Sequence, residues 1–245
     1  MSASSPGPTD RAAGEAPQDE DLVAFQDPEY REAVVDLLGV IAYGEISAFE
    51  RLAEDAKLAP TLEDKVAIAS MASAEFGKLP RLQDRLSDLG ADPFAAMAPF
   101  QRAIDLFHEH TRPADWYEGL VKAYVGDGLA NDFYREIAAY LDEATRDLIL
   151  ASLEDSGHSA FAIERVRAAI AANPRLGGRL ALWGRRLMGE ALTQAQRVAA
   201  ERDALTALLA GGVDRPGLDL AAIGRMFTRL TDRHAERMAE LGLAS

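Results

Sequence analysis

The sequence predicts an all-α protein: an antiparallel four-helix bundle with a long crossover, an additional helix and a short C-terminal helix. Three observations carry this reading. Apolar residues recur at helical spacing over five long segments, with capping residues at their starts and Gly or Pro at their ends. Ala, Leu, Glu, Asp and Arg are prominent, and no β-branched run of strand length occurs. Four acidic spots also lie at matched distances from two predicted turns, which sets them at one height of a bundle.

The elements follow in order. Residues 1–22 are polar, acidic and without periodicity, and read as a disordered tail. A first helix spans about Pro28 to Lys57. Its stripe is Val34, Leu38, Ile41, Glu45, Ala48, Phe49 and Leu52, with Glu45 in the middle of an apolar face. Pro60 ends it, and Thr61 supplies an N-cap followed by the acidic turn Glu63-Asp64. The second helix runs to about Leu89, with Ile68, Met71, Ala72, Glu75, Lys78, Leu79, Leu82 and Leu86 along one side, and Gly90 and Pro93 close it. A connection over 91–113 contains a short helical piece, Phe94 to Phe107. The third helix covers about Ala114 to Leu141. The fourth starts on Asp142 as N-cap and runs to about Ala172, where Asn173-Pro174 breaks it. The fifth extends from about Arg175 to Leu209. Gly211, Gly212 and Pro216 make a linker to a last amphipathic helix, Leu218 to Leu241. The domain reading is therefore a tail (1–22), a bundle (23–210), and a linker with a C-terminal helix (211–245).

Composition narrows the function. The absence of cysteine excludes disulfides and thiolate metal sites and suits a reducing cytoplasm. No apolar run is long enough for a membrane span. A net charge of −14 argues against a generally basic nucleic-acid surface. Residues 164–202 run the other way, with eight arginines against three glutamates. They read as an arginine-rich outer helix paired with acidic neighbours, with an RNA or phosphate footprint as the alternative. No Gly-rich phosphate loop, Ser/His/Asp order or nucleophile elbow is present, so NTPase and hydrolase readings are weak.

The acidic heights carry the chemistry. Glu45 and Glu75 each lie fifteen residues from Pro60, and Asp127 and Asp155 each lie fourteen from Leu141. Equal arms of a helical hairpin bring their ends level. Each hairpin thus sets a carboxylate on its first helix against a motif on its second, Glu75-Phe76-Gly77-Lys78 or Asp155-Ser156-Gly157-His158. On a continuous helix Asp155 and His158 share a face with Leu148, Ala151, Ala162 and Val166. Buried carboxylates need partners, and two hairpins joined by a crossover, each giving a carboxylate plus Glu-x-x-His, form a two-metal site in ferritin-like folds. Asp132 and Glu136 remain alternatives to Asp127 on the third helix.

At these residues the chain resembles ferritin-like proteins related to the tRNA methylthio-isopentenyl-adenosine hydroxylase (the MiaE-like family). The matching stretches are Ile41-Ala42-Tyr43-Gly44-Glu45, Ala59-Pro60-Thr61-Leu62, Met71-Ala72-Ser73-Ala74-Glu75-Phe76, Asp115-Trp116, Val121 to Gly128, and Asp155 to His158. They cover about residues 28–205. The resemblance implies a ferritin-like bundle with two bridged irons and O₂-dependent hydroxylation. Iron, as a pair or with manganese, would be held by Glu45, Glu75, Asp127, Asp155 and His158. An electron-donor protein and tRNA or another small substrate would be the partners. One departure matters: Lys78 stands where the second helix motif should end in histidine. An ammonium has no lone pair to coordinate a metal, so Lys78 is the candidate catalytic group on which the chemistry turns. The alternative reading is a metal-poor bundle in which Lys78 satisfies the buried acids. Such a protein acts through a partner, for example as a homodimer along the fifth or the C-terminal helix.

Other residues rank lower. His108 and His110 on the crossover read as surface residues, and His234, among Arg233, Glu236 and Arg237, reads as exposed. Tyr43, Tyr124 and Tyr134 read as core filling, and Glu190 lies beside the bundle. Because the tail has no apolar surface to bury, deleting residues 1–22 should leave the melting temperature nearly unchanged. Thermal denaturation of the two forms side by side checks this, and a large drop would refute the assignment.

Overall fold

The computed structural model describes residues 25, 27–153, 158–210 and 220–244. The tail, the 211–219 linker and Asp155 lie outside these residues. The described residues form helices and no strand. Helix α1 spans Pro28–Asp55, and the Asp27 carboxylate caps it by accepting from the Glu29 N–H at 2.9 Å. Helix α2, Leu62–Asp88, starts on Thr61, whose hydroxyl accepts from the Asp64 N–H at 3.1 Å. It stops before Gly90, whose φ of +69° lies in the left-handed region that glycine enters at no steric cost. The crossover is helical over most of its length: α3 (Pro93–Met97), a 3₁₀ turn (Ala98–Phe100) and α4 (Gln101–His110). Helix α5, Trp116–Ala138, is capped by Asp115.

Two expected helices are each divided. The fourth consists of α6 (Glu143–Ser152) and α7 (His158–Ala172). Asp142 caps α6 as the sequence predicts, accepting from the Thr145 N–H at 2.9 Å. At the other end the Ser152 hydroxyl bonds back to the Ile149 carbonyl, and Arg135 takes the Leu153 carbonyl. The Ile149 carbonyl also keeps its helical bond from the Leu153 N–H at 3.2 Å, so the Ser152 hydroxyl is a second donor to it. The inward face of α6 is Thr145, Ile149 and Ser152, while Ala151 is exposed. The expected continuous stripe through Leu148 and Ala151 into Ala162 and Val166 is therefore not kept. The fifth helix consists of α8 (Arg175–Glu201) and α9 (Asp203–Ala210). Arg202 leaves helical geometry between them, and its guanidinium is held by Asp36 on α1, with Nε to Oδ2 at 2.8 Å.

The hairpin α1–α2 is the most extensive helix pair, and α5 lies against α7, α8 and the last helix, α10 (Leu220–Glu240). The C-terminal helix is thus part of the packed body. Met226, Leu230, His234 and Met238 recur every four residues along α10, and all four are buried. His234, expected to be exposed, is 5% exposed because its neighbours on the helix face are these residues, not the charges beside it in sequence. A buried node ties α1, α2 and α6 together. Tyr30 donates to Asp142 at 2.9 Å and accepts from the Asp142 N–H at 2.7 Å, and Arg85 donates to Thr145 at 2.9 Å.

The apolar core is in two parts. One holds Tyr30 to Ala42 of α1, Leu79 to Leu86 of α2, and Ile137 onward. The other holds Leu52 and Ala56, Ile68 to Ala72, and Trp116 to Leu129, with α7, α8 and the end of α10. Glu45 and Glu75 fall between the two parts on their helices. Gly39 marks the closest helix approach: a Cβ there would overlap the backbone carbonyl of Ala96 on α3. Gly39→Ala should destabilise by about 1–3 kcal/mol, lowering Tm by roughly 2–4 °C per kcal/mol in a chain of this size. At Gly77 a Cβ meets nothing within 4 Å, so Gly77→Ala should be neutral or stabilising by up to ~1 kcal/mol. Thermal unfolding of the two variants together checks the contrast.

Candidate functional site

The gap between the two core parts is a cavity of about 230 Å³. Glu45 from α1, Glu75 from α2, and Asp127, Asn131 and Tyr134 from α5 line one end of it. The structure thus brings together three of the acids that the equal-arm spacing placed at one height. Glu45 and Glu75 are buried at 8% and 7% exposure, whereas Asp127 is exposed and stands at the rim, accepting from Asn131 at 3.0 Å. The alternatives on α5 point elsewhere. Asp132 is held by Arg237 and flanked by Arg233, and Glu136 binds Arg229, all three arginines on α10. Asp155 lies outside the described residues. His158 begins α7, and its side chain is likewise outside them.

Lys78 closes the acidic end. Its Nζ donates to Glu75 Oε2 at 2.7 Å and lies 3.7 Å from Glu45 Oε2. Burial pushes Glu45 up to about 9, helped by its hydrogen bond to Glu75 and by the charges of Glu75 and Asp127, against the opposing pull of Lys78. Burial thus drives the Glu45–Glu75 pair toward sharing a proton. Burial alone would lower Lys78, but Glu45, Glu75 and Asp127 together outweigh it and hold the ammonium above its ordinary range. Tyr134 is also raised, by burial and then by Glu45 and Asp127, so it is a neutral phenol here.

The opposite end of the cavity holds residues that sequence reasoning missed. Arg51 and Asp55 of α1, His108 of α4 and Lys122 of α5 line it. His108, expected at the surface, sits one turn after Ile104 on the face that α4 turns to the cavity, while His110 is exposed and pairs with Glu190 at 2.8 Å. Glu190 binds His110 and Gln194 and does not line the cavity. The signal for Lys122 was a single lysine inside the apolar run Leu120 to Val125.

A bundle of this topology with a carboxylate layer at mid-height is ferritin-like. The chain belongs to the family of ferritin-like domains of actinomycetes, whose profile matches residues 28–212. No curated protein sequence matches the chain. Two bridged irons need both inner glutamates ionised and an imidazole from each hairpin. Here the Lys78 ammonium takes one imidazole's place and pairs with oxygens that a metal would need, so this half of the layer departs from a two-iron centre. Among the described residues no group of three or more His, Asp or Glu side chains is disposed to hold a metal ion. No helix among them is long and apolar enough to cross a membrane.

The raised Glu45 makes stability depend on pH with a definite sign. The folded form holds a proton up to about pH 9 that the unfolded chain, at its ordinary 4.5, releases. The contribution is fully present below pH 4.5 and is lost as pH rises toward 9. Glu45→Gln keeps a donor to Glu75 and does not titrate. In chelator-treated protein, wild type should lose stability relative to Glu45→Gln steadily from pH 5 to 9, read by urea denaturation. A difference that stays constant with pH would mean that Glu45 holds no such proton.

Proposed function

We propose that the protein is a metal-poor ferritin-like bundle in which the Lys78 ammonium replaces a metal ligand, and that it works by binding a ligand or partner and not by activating O₂. One observation carries this reading: Lys78 Nζ lies 2.7 Å from Glu75 and 3.7 Å from Glu45, where a metal would need the same oxygens. A cation fixed to its own helix neutralises the layer permanently. The cavity beside it then serves as binding volume.

A second reading has its own support. Glu45, Glu75 and Asp127 come from three helices to one cavity, as an oxygen-rich iron site requires. In that reading iron, or iron with manganese, would be held by these three residues with Asp155 and His158. The protein would be a hydroxylase similar to the MiaE-like enzymes, reduced by an electron-donor protein and acting on tRNA or another small substrate.

Metal content after identical anaerobic ferrous loading separates the two. Wild type should retain well under two irons per chain. Lys78→His should retain more, because a neutral imidazole coordinates where an ammonium repels, and adding His158→Ala should remove the gain. Two tightly held irons in wild type, unchanged by Lys78→His, would overturn the proposal in favour of the hydroxylase.

A further inference from the structure

The far end of the cavity is built differently from the Lys78 end. Ten residues of α1 separate Glu45 from Asp55, about 15 Å of helix at 1.5 Å per residue. Lys122 is 6% exposed, lines the cavity, and has a neutral group as its fixed partner, the Thr111 carbonyl at 2.9 Å. The Phe107 ring lies 5.5 Å from its Nζ. Asp55 is buried, and His108 has a buried Nδ1 with no hydrogen-bond partner. An amine, a carboxyl and an imidazole thus line one end of a largely apolar cavity, with polar capacity that the fold does not use.

We infer that Lys122 is an amine nucleophile that takes a small apolar aldehyde or ketone into this cavity as a Schiff base, with Asp55 moving the protons. The Nζ lone pair forms the C–N bond while the carbonyl π pair moves to oxygen, which takes a proton from Asp55. The Asp55 carboxylate so formed takes the proton that nitrogen sheds and returns it to the hydroxyl, which leaves as water as the C=N bond forms; the last N–H proton goes back to Asp55. Amine and carbonyl give imine and water, and no oxidant or reductant is needed.

Electrostatics agree with the geometry. Burial lowers Lys122 to about 8, Arg51 acting the same way and Asp55 and Glu54 opposing. Roughly one chain in ten then carries the free amine at pH 7, roughly 300-fold more than for an ordinary lysine. Burial raises Asp55 to about 6, against Lys122 and Arg51, so it can give up and regain a proton near neutrality. Burial, then Lys122 and Arg51, hold His108 down at about 3, so its imidazole is neutral. Size fits as well: a cavity of about 150 Å³ holds benzene, and this one, at about 230 Å³, has room for a ring bearing a carbonyl. The competing account is that Lys122 merely caps α4 through the Thr111 carbonyl.

The chain has four lysines, Lys57, Lys65, Lys78 and Lys122, so labelling separates the two accounts within one molecule. Chelator-treated full-length protein is treated at pH 7 with benzaldehyde and cyanoborohydride, and adducts are mapped by peptide mass spectrometry. Lys122 should be labelled at least about ten-fold faster than the exposed Lys57 and Lys65, because the free amine is the reactive form; Lys78, held as ammonium, should be slowest. Toluene, which fills the cavity without a carbonyl, should slow labelling at Lys122 alone. Lys122 labelled no faster than Lys57 and Lys65 would overturn the proposal, as would labelling that toluene leaves unchanged. The readout is independent of iron content, so its failure is distinct from that of the metal-poor reading.

Discussion

The fold depends on how α1 and α2 keep two carboxyl groups inside a bundle. Glu45 and Glu75 sit between two apolar core parts at less than a tenth of their free exposure. Two ionised carboxylates so placed would repel each other and forgo hydration, a cost that excludes the arrangement unless charge is supplied. It is supplied by the Lys78 ammonium beside both acids, while burial pushes Glu45 toward its protonated form. The two inner acids are thus offset without a metal, and Asp127 stands at the exposed rim. The side chain of Lys78 is 19% exposed, which lets the ammonium retain some hydration while it reaches inward.

The rest of the molecule repeats this solution at its edges. Arg165 binds Asp64, Arg179 binds Asp115 and Glu118, and Arg202 binds Asp36. Three of the eight arginines over 164–202 thus tie outer helices to α1, α2 and α5, and Arg167 and Arg186 donate to the Glu240 and His110 carbonyls. On α10, Arg229, Arg233 and Arg237 hold Glu136 and Asp132 in the same way.

Much of this was legible in the sequence, and the failures have physical causes. Glu45 and Glu75 were readable because each interrupts an apolar stripe at helical spacing, and the distances to Pro60 gave their common height. Thr61, Gly90 and Asp142 marked helix ends through capping chemistry that acts locally. The breaks at Ser152 and Arg202 were not readable, because Arg135 and Asp36, which hold them, come from other helices. His108 was misplaced by its position on the crossover and His234 by its charged neighbours in sequence, when the residues four positions away decide burial. Lys122 and Asp55 passed unnoticed because no partner near in sequence called attention to them.

Lys78 and Lys122 show what the bundle does with one side chain in two settings. Both lie in or beside the same cavity, and burial pushes both toward the neutral amine. At Lys78 the carboxyl groups of Glu75 and Glu45, at 2.7 and 3.7 Å, overcome that push and fix the charge. At Lys122 the nearest fixed partner is a carbonyl, Arg51 adds to the push, and the amine is held near neutrality. The difference lies in the counterions, and these are set by helix register: α1 and α2 bring their glutamates level at one end, while α1 and α5 bring only Asp55 to the other. A shift of register that moved a second carboxylate toward Lys122 would turn it into another Lys78. The contrast between a lysine paired with acids at one end and a lysine on a neutral carbonyl at the other therefore follows from the register of α1 against α2 and α5.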